Sequence, residues 1–160
     1  MFDLNDIQRN NDLNETGGTT SVPPVLSAYV DGSYDKETAR FAYGCILLDG
    51  DTTVAMMSAA DDDPELATMH NVAGEIKGAE AAIKFCLEHG VKELTIFHDY
   101  EGIAKWPLGL WKANKEGTKA YRDFYKEAVK TLKITFVKVK GHSGNKYNDI
   151  ADKLAGAALE

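Results

Sequence analysis

The chain has 160 residues, 44% of them hydrophobic and 27% charged, the make-up of one ordinary globular domain rather than a fibrous or wholly disordered chain. No stretch reaches about 18 uncharged apolar residues, and Met1-Phe2-Asp3-Leu4 lacks the basic, then apolar, opening of a secretory signal; the expectation is a cytoplasmic protein with no membrane span. A formal net charge of −7 excludes a nucleic-acid partner unless positive charge is gathered in one region.

It is gathered. From Lys105 to Lys146, eleven Lys or Arg stand against Glu116, Asp123 and Glu127, so this segment carries +8 and the remainder −15. Such a split suits a basic face for a polyanion, and lysines that merely solvate their helices are the competing reading. Cys45 and Cys86 lie far apart in apolar stretches without CxxC spacing, as small buried hydrophobes in a reducing compartment do.

Residues 1–24 are rich in Asn, Gly and Thr and end in Pro23-Pro24, with too little apolar surface to repay ordering. A flexible tail or linker is expected, with Phe2, Leu4 and Ile7 free to dock on an upstream domain or partner, and a catalytic domain over 25–160. Val25 to Ser33 reads as a central strand whose apolar run stops at Asp31-Gly32-Ser33, the carboxyl end where open α/β sheets build ligand sites. Taken alone, Asp-Gly reads as a plain turn before it reads as a catalytic acid. Arg40–Leu48 and Thr52–Ser58, joined by Asp49-Gly50-Asp51, form a hairpin signal. Asp61-Asp62-Asp63-Pro64 reads as a solvated loop, poorly suited to one shared ion.

Between Asn71 and His89 the apolar stripe Ile76, Ala79, Ala82, Ile83, Cys86 and Leu87 predicts a helix closed by Gly90. Glu75 near its start has an alternative explanation in the helix dipole. Glu93 to Asp99 is a second strand ending in an acid, and a parallel pairing with the first strand places Asp31 and Asp99 on one sheet edge. A short helical piece, a break over Trp106 to Trp111 and a basic helix from Thr118 to Thr131 follow. The strand Ile134–Val139 ends in Lys140-Gly141-His142-Ser143-Gly144. The last helix, from Lys146 to Leu159, has the stripe Ala151, Leu154, Ala155 and Ala158, with Asn148 and Asp152 together at its margin.

Asp31, Glu75, Asp99 and Asp152 thus occupy two strand ends, a helix start and a helix margin that the topology can bring together. No Lys or Arg in those motifs neutralises them. Mutual repulsion then calls for a hard divalent cation on oxygen ligands, Mg²⁺ by preference with Mn²⁺ as substitute, and two such ions suit phosphodiester cleavage.

Tyr29-Val30-Asp31-Gly32-Ser33, Asn71-Val72-Ala73-Gly74-Glu75, Phe97-His98-Asp99, Lys138-Val139-Lys140-Gly141-His142-Ser143-Gly144 and Asn148-Asp149-Ile150-Ala151-Asp152 resemble, in order, the motifs of ribonuclease H type 1. The resemblance implies an α/β fold: a five-stranded mixed sheet, with an antiparallel hairpin strand beside parallel strands and helices on both faces. It implies an endoribonuclease that cuts the RNA strand of RNA/DNA hybrids and leaves 5′-phosphate and 3′-hydroxyl ends. By the same resemblance Asp31, Glu75, Asp99 and Asp152 are the metal-binding catalytic acids, and His142 is a mobile histidine serving proton transfer or product release. Gly32, Ser33, Asn71, Lys140 and Asn148 are expected to meet the hybrid, with Lys112, Lys115 and Lys119 of the basic segment. The chain departs from the pattern at Tyr100-Glu101, where many relatives place Ser-Gln, and at His70, where threonine is common. Its segment from Trp106 to Gly117 is too short for the basic protrusion of some members. A monomer is expected. The alternatives are a nuclease of this fold acting on another duplex, such as double-stranded RNA, and a non-catalytic hybrid-binding module.

Overall fold

Val25–Asp35 forms β1 at the middle of a five-stranded sheet of order β3-β2-β1-β4-β5. The computed structural model describes residues 22–140 and 145–160; the expected tail up to residue 21 and His142 lie outside the described residues. β2 (Arg40–Asp49) and β3 (Thr52–Asp61) make the predicted hairpin, antiparallel to each other and to β1. β4 (Glu93–His98) and β5 (Lys133–Lys138) run parallel to β1 on its other side. The sheet is therefore mixed, as expected.

The helices are α1 (Pro64–Ala67), α2 (Asn71–Glu88), α3 (Gly102–Lys105), α4 (Glu116–Ala128) and α5 (Lys146–Ala158). Strand alternation sorts β1 between two layers. Leu26, Ala28 and Val30 are fully buried in a core shared with Ile76, Ala79, Ala82, Ile83 and Cys86 of α2. The other face receives α5, which packs on β1, β2 and β3. Gly32 and Gly44 let the helices approach: a Cβ at Gly32 would strike the Asn71 carbonyl and, at 2.5 Å, the Glu75 nitrogen, and one at Gly44 would strike the Ala151 carbonyl. This close seating carries Glu75 and α5 down onto the end of β1.

Three expectations need correction. Leu87 is exposed, and Phe85 is buried in its place; Leu87 stands one position, about 100° of helix turn, beyond the buried Cys86, at the last turn before the Gly90 cap, where the Val91 N–H closes on the Cys86 carbonyl at 3.0 Å. The acidic stretch is exposed but not all loop: Asp61 ends β3, and Asp63 caps α1, accepting from the Glu65 and Leu66 N–H groups at 3.0 and 3.3 Å. Asn148 is buried rather than marginal, because the first turn of α5 presses it against the protein.

Candidate active site

The four acids converge where β1 runs on past its pairing with β4: Asp31 lies within β1, which continues to Asp35 rather than ending at the acid as expected, and Asp99 follows the last residue of β4. Asp31 is their hub. Its Oδ1 accepts from the Gly32 N–H at 2.9 Å, and the Asp152 carboxylate, from α5, is close enough to act on its proton affinity. Burial pushes the Asp31 carboxyl up to about 7 against the pull of the Gly32 amide, and the charges of Asp152 and Asp99 push the same way. Glu75 sits one turn inside α2, fully buried, so the helix dipole is not what places it. Its Oε1 accepts from the backbone N–H groups of Asp99 and Tyr100 at 2.8 and 3.1 Å. Burial raises it to about 8, those two amides hold it down, and Asp31 and Asp99 raise it further.

None of the four is paired with a Lys or Arg among the described residues. As they stand, no three His, Cys, Asp or Glu side chains among the described residues are gathered tightly enough to hold one metal ion; Glu75 Oε1 is turned to two amides and Asp31 Oδ1 to a third. The donor chemistry nevertheless fits a hard divalent cation: all donors are carboxylate oxygens, burial and their neighbours' charges disfavour the empty, ionised cluster, and no Lys or Arg among the described residues compensates it.

Beside the acids runs a cleft of about 340 Å³ lined by Met69, Val72, Tyr100, Trp106, Lys112 and Lys115, among others. Tyr100, Trp106 and Trp111 form an aromatic cluster with centroids 5.7–6.0 Å apart, an arrangement for which nothing but the aromatic residue types gave warning. A larger cleft of about 390 Å³, between α2 and the hairpin, contains none of the four acids. The other expected contact residues divide. Asn71 is exposed at the first position of α2, beside Gly32, and Ser33 is half-buried on β1. Lys112, Lys115, Lys119 and Lys140 are exposed, with Lys119 only loosely paired to Glu116 at 3.9 Å. Asn148, 3% exposed, has its Oδ1 buried without a partner among the described residues and is withdrawn from the surface. His70, where threonine is the common choice, precedes α2 at φ +56° and stacks on Tyr34 at 4.5 Å. Sequence reasoning passes over His98, although it falls on the buried side of the Leu94, Ile96, His98 alternation.

Comparison with known proteins decides the family. The RNase H family profile matches residues 23–160. The chain belongs to the ribonuclease H family. A ribonuclease HI of Synechocystis is 30% identical over 151 residues, which cover 88% of this chain and 91% of that protein. A ribonuclease H1 structure from Halobacterium salinarum superposes with a TM-score of 0.70 at 23% identity, over 84% of this chain and 97% of that one. The LC11 ribonuclease H1 in complex with an RNA/DNA hybrid superposes at 0.66 and 15% identity, over 84% and 99%. The fold is that of ribonuclease H, and the family makes this chain a ribonuclease H hydrolase.

Proposed function

We propose that this ribonuclease H cuts the RNA strand of RNA/DNA hybrids in a divalent-cation-dependent reaction that leaves 5′-phosphate and 3′-hydroxyl ends. The observation that carries the reading is the convergence of four carboxylates on Asp31 with no basic partner. A pure binding module has no use for so repulsive a cluster, which costs stability unless cations repay it. Asp31, Glu75, Asp99 and Asp152 would hold the ions, Mg²⁺ or Mn²⁺. When two are bound, they supply a nucleophilic water near neutral pH and charge stabilisation at the leaving oxygen.

The chain's own residues do the rest. Without a cation, Asp31 and Glu75 hold protons more tightly than ordinary carboxyls do, so protons and cations compete for them. Gly32 and Asn71, side by side where β1 meets α2, would face the shallow minor groove whose 2′-hydroxyls mark the RNA strand. Lys112 and Lys115 along the cleft would meet phosphates, which position a duplex without reading its sequence. His142 would serve proton transfer or product release. The hybrid reading also draws on the complex that the LC11 neighbour forms. Free, buried Cys45 and Cys86 support a cytoplasmic setting, and no helix among the described residues is long and apolar enough to cross a membrane. The enzyme is proposed to act as a monomer; Val22 packs against the core and the Pro24 carbonyl accepts from the Lys92 and Glu93 N–H groups, so these residues belong to the domain rather than to the expected tail.

End-labelled RNA/DNA hybrid, double-stranded RNA and double-stranded DNA, each incubated with Mg²⁺ and with excess chelator, test the reading. Cleavage confined to the RNA strand of the hybrid and abolished by chelator is expected. Equal turnover in chelator, or preference for another duplex, would overturn it.

A further inference from the structure

Tyr100 is held from both sides of its backbone. Its N–H donates to Glu75 Oε1, beside that of Asp99, and its carbonyl accepts from His98 Nδ1 at 2.9 Å and from the Ile103 N–H at 3.1 Å. A carbonyl oxygen can only accept, so His98 carries its proton on Nδ1. Nε2 is buried with no partner among the described residues. A second N–H there would leave a charged donor unpaired among the described residues, the costlier state.

The place is unusual for a polar ring. His98 ends β4 at 2% exposure, on the side where Leu94 and Ile96 enter the core, and its ring meets Phe136 edge-on at 5.9 Å. An apolar side chain there would avoid the cost of an unsatisfied nitrogen. What the histidine adds is its one hydrogen bond. The β1–β4 register runs to Tyr29 and Phe97, and the last bond from β5 is the Val139 N–H to the His98 carbonyl at 2.7 Å. Past that point the sheet no longer holds the backbone. The turn from Asp99 to Ile103 hangs on side chains: Glu75 takes two amides, His98 the Tyr100 carbonyl, and the Tyr121 hydroxyl, donating, the Ile103 carbonyl.

We infer that His98 is a positioning residue for the reaction: by fixing the Tyr100 carbonyl it sets the turn whose two amides orient the Glu75 carboxylate. The inference rests on Glu75 being one of the working acids. With Oε1 committed to the turn, Oε2 has no donor among the described residues and is the oxygen left to serve a cation or the RNA strand. A slack turn would let the carboxylate rotate. Residues that orient a site's carboxylates in this way typically contribute about 10–100-fold to affinity or activity.

Three substitutions separate this from packing. His98→Asn puts an amide N–H near the position of Nδ1, His98→Gln puts one near that of Nε2, and His98→Leu fills the space with no donor. On RNA/DNA hybrid, His98→Leu and His98→Gln are expected to lower kcat about 10-fold or more with KM unchanged, while His98→Asn keeps most of the turnover. A second readout needs neither metal nor hybrid. In ¹⁵N NMR of the chelated protein, the parent should show the Nδ1–H tautomer of His98. The Asp99 and Tyr100 amide protons should shift upfield in the Leu and Gln variants and stay in place in His98→Asn. Equal loss in all three variants, or a Leu variant with parental kcat and unmoved amides, would overturn the inference. If the parent cuts no hybrid at all, the functional reading fails, while the amide shifts still decide whether His98 holds the turn.

Discussion

Tyr29 and Phe97 are register partners on the two parallel strands at the centre of the sheet, and their rings stack with centroids 4.4 Å apart and planes 7° from parallel. Two residues on from this pair stand Asp31, still within β1, and Asp99, the residue just past the end of β4. Tyr147 leans on Tyr29 from α5 at 5.5 Å, at the start of the helix that brings Asp152. One apolar stack thus fixes the relative height of the strands beneath three of the acids. A cluster so placed stores repulsion, which both metal and protons should relieve.

Asp31→Asn should abolish cleavage of hybrid while raising the thermal midpoint of the chelated protein, because it removes a desolvated charge that two neighbouring carboxylates oppose. Mg²⁺ should raise the midpoint of the parent and do much less for the variant, since a ligand stabilises only the state that binds it. Paired melting curves with and without Mg²⁺ check both halves. A variant that melts below the parent in chelator would show that the charge at Asp31 is not opposed.

The pH dependence has a definite sign. Asp31 and Glu75 are acids raised from 3.8 and 4.5 to about 7 and about 8, so the folded state binds protons more tightly than the unfolded one. Their contribution to stability is therefore fully present near pH 4 and is lost as pH rises through 7 and 8. It amounts to on the order of a few kcal/mol, less what solvent screens at Asp31. Mg²⁺ competes with those protons. The gap between melting midpoints with and without Mg²⁺ should accordingly widen from pH 5 to pH 8; a constant gap would refute it.

Much of this site is legible in the sequence because its chemistry breaks a local rule. Apolar runs that stop at Asp31 and Asp99, and an acid at Glu75 immediately before the apolar stripe that begins at Ile76, stand out against patterns of period two and 3.6. What stays hidden depends on contacts between elements. The helix dipole suffices to explain Glu75 from sequence, and only the fold shows it buried under the amides of Asp99 and Tyr100. His98 looks like one more strand residue, since alternation reveals that a side chain points inward but not what it meets. Leu87 and Cys86 share one predicted stripe, and the end of α2 turns one out and keeps the other. The seating of both helices by Gly32 and Gly44 likewise follows from partners distant in sequence.

The basic segment yields a prediction that separates binding from solvation. Lys112 and Lys115 border the cleft beside Trp106 and Tyr100, and Lys119 is exposed with a loose partner. Replacing all three with Gln should weaken hybrid binding whatever its sequence, and flatten the slope of log K against log salt by up to about 0.9 for each phosphate that is no longer neutralised. Mg²⁺ affinity in the absence of hybrid should stay as it was. Binding titrations at several salt concentrations give the slope. If the slope does not change, the lysines only solvate their surface.

Asn71 offers the sharpest probe of how the RNA strand would be recognised. Its side chain is exposed at the first position of α2, has no hydrogen-bond partner among the described residues, and stands beside Gly32, whose missing Cβ lets the helix end close on β1. An amide so presented can donate to and accept from a 2′-hydroxyl, which duplex DNA lacks. Asn71→Ala removes that amide and leaves all four carboxylates, the turn after Asp99 and the core untouched, so the thermal midpoint and its response to Mg²⁺ should not move. A polar group left unpaired in the complex costs about 1–3 kcal/mol, which corresponds to a fall of roughly 5- to 150-fold in kcat/KM on hybrid. The deciding measurement sets RNA/DNA hybrid against double-stranded DNA with both proteins. Loss on the hybrid, with DNA remaining uncut, places Asn71 among the readers of the RNA strand, whereas a variant as active as the parent removes it from them.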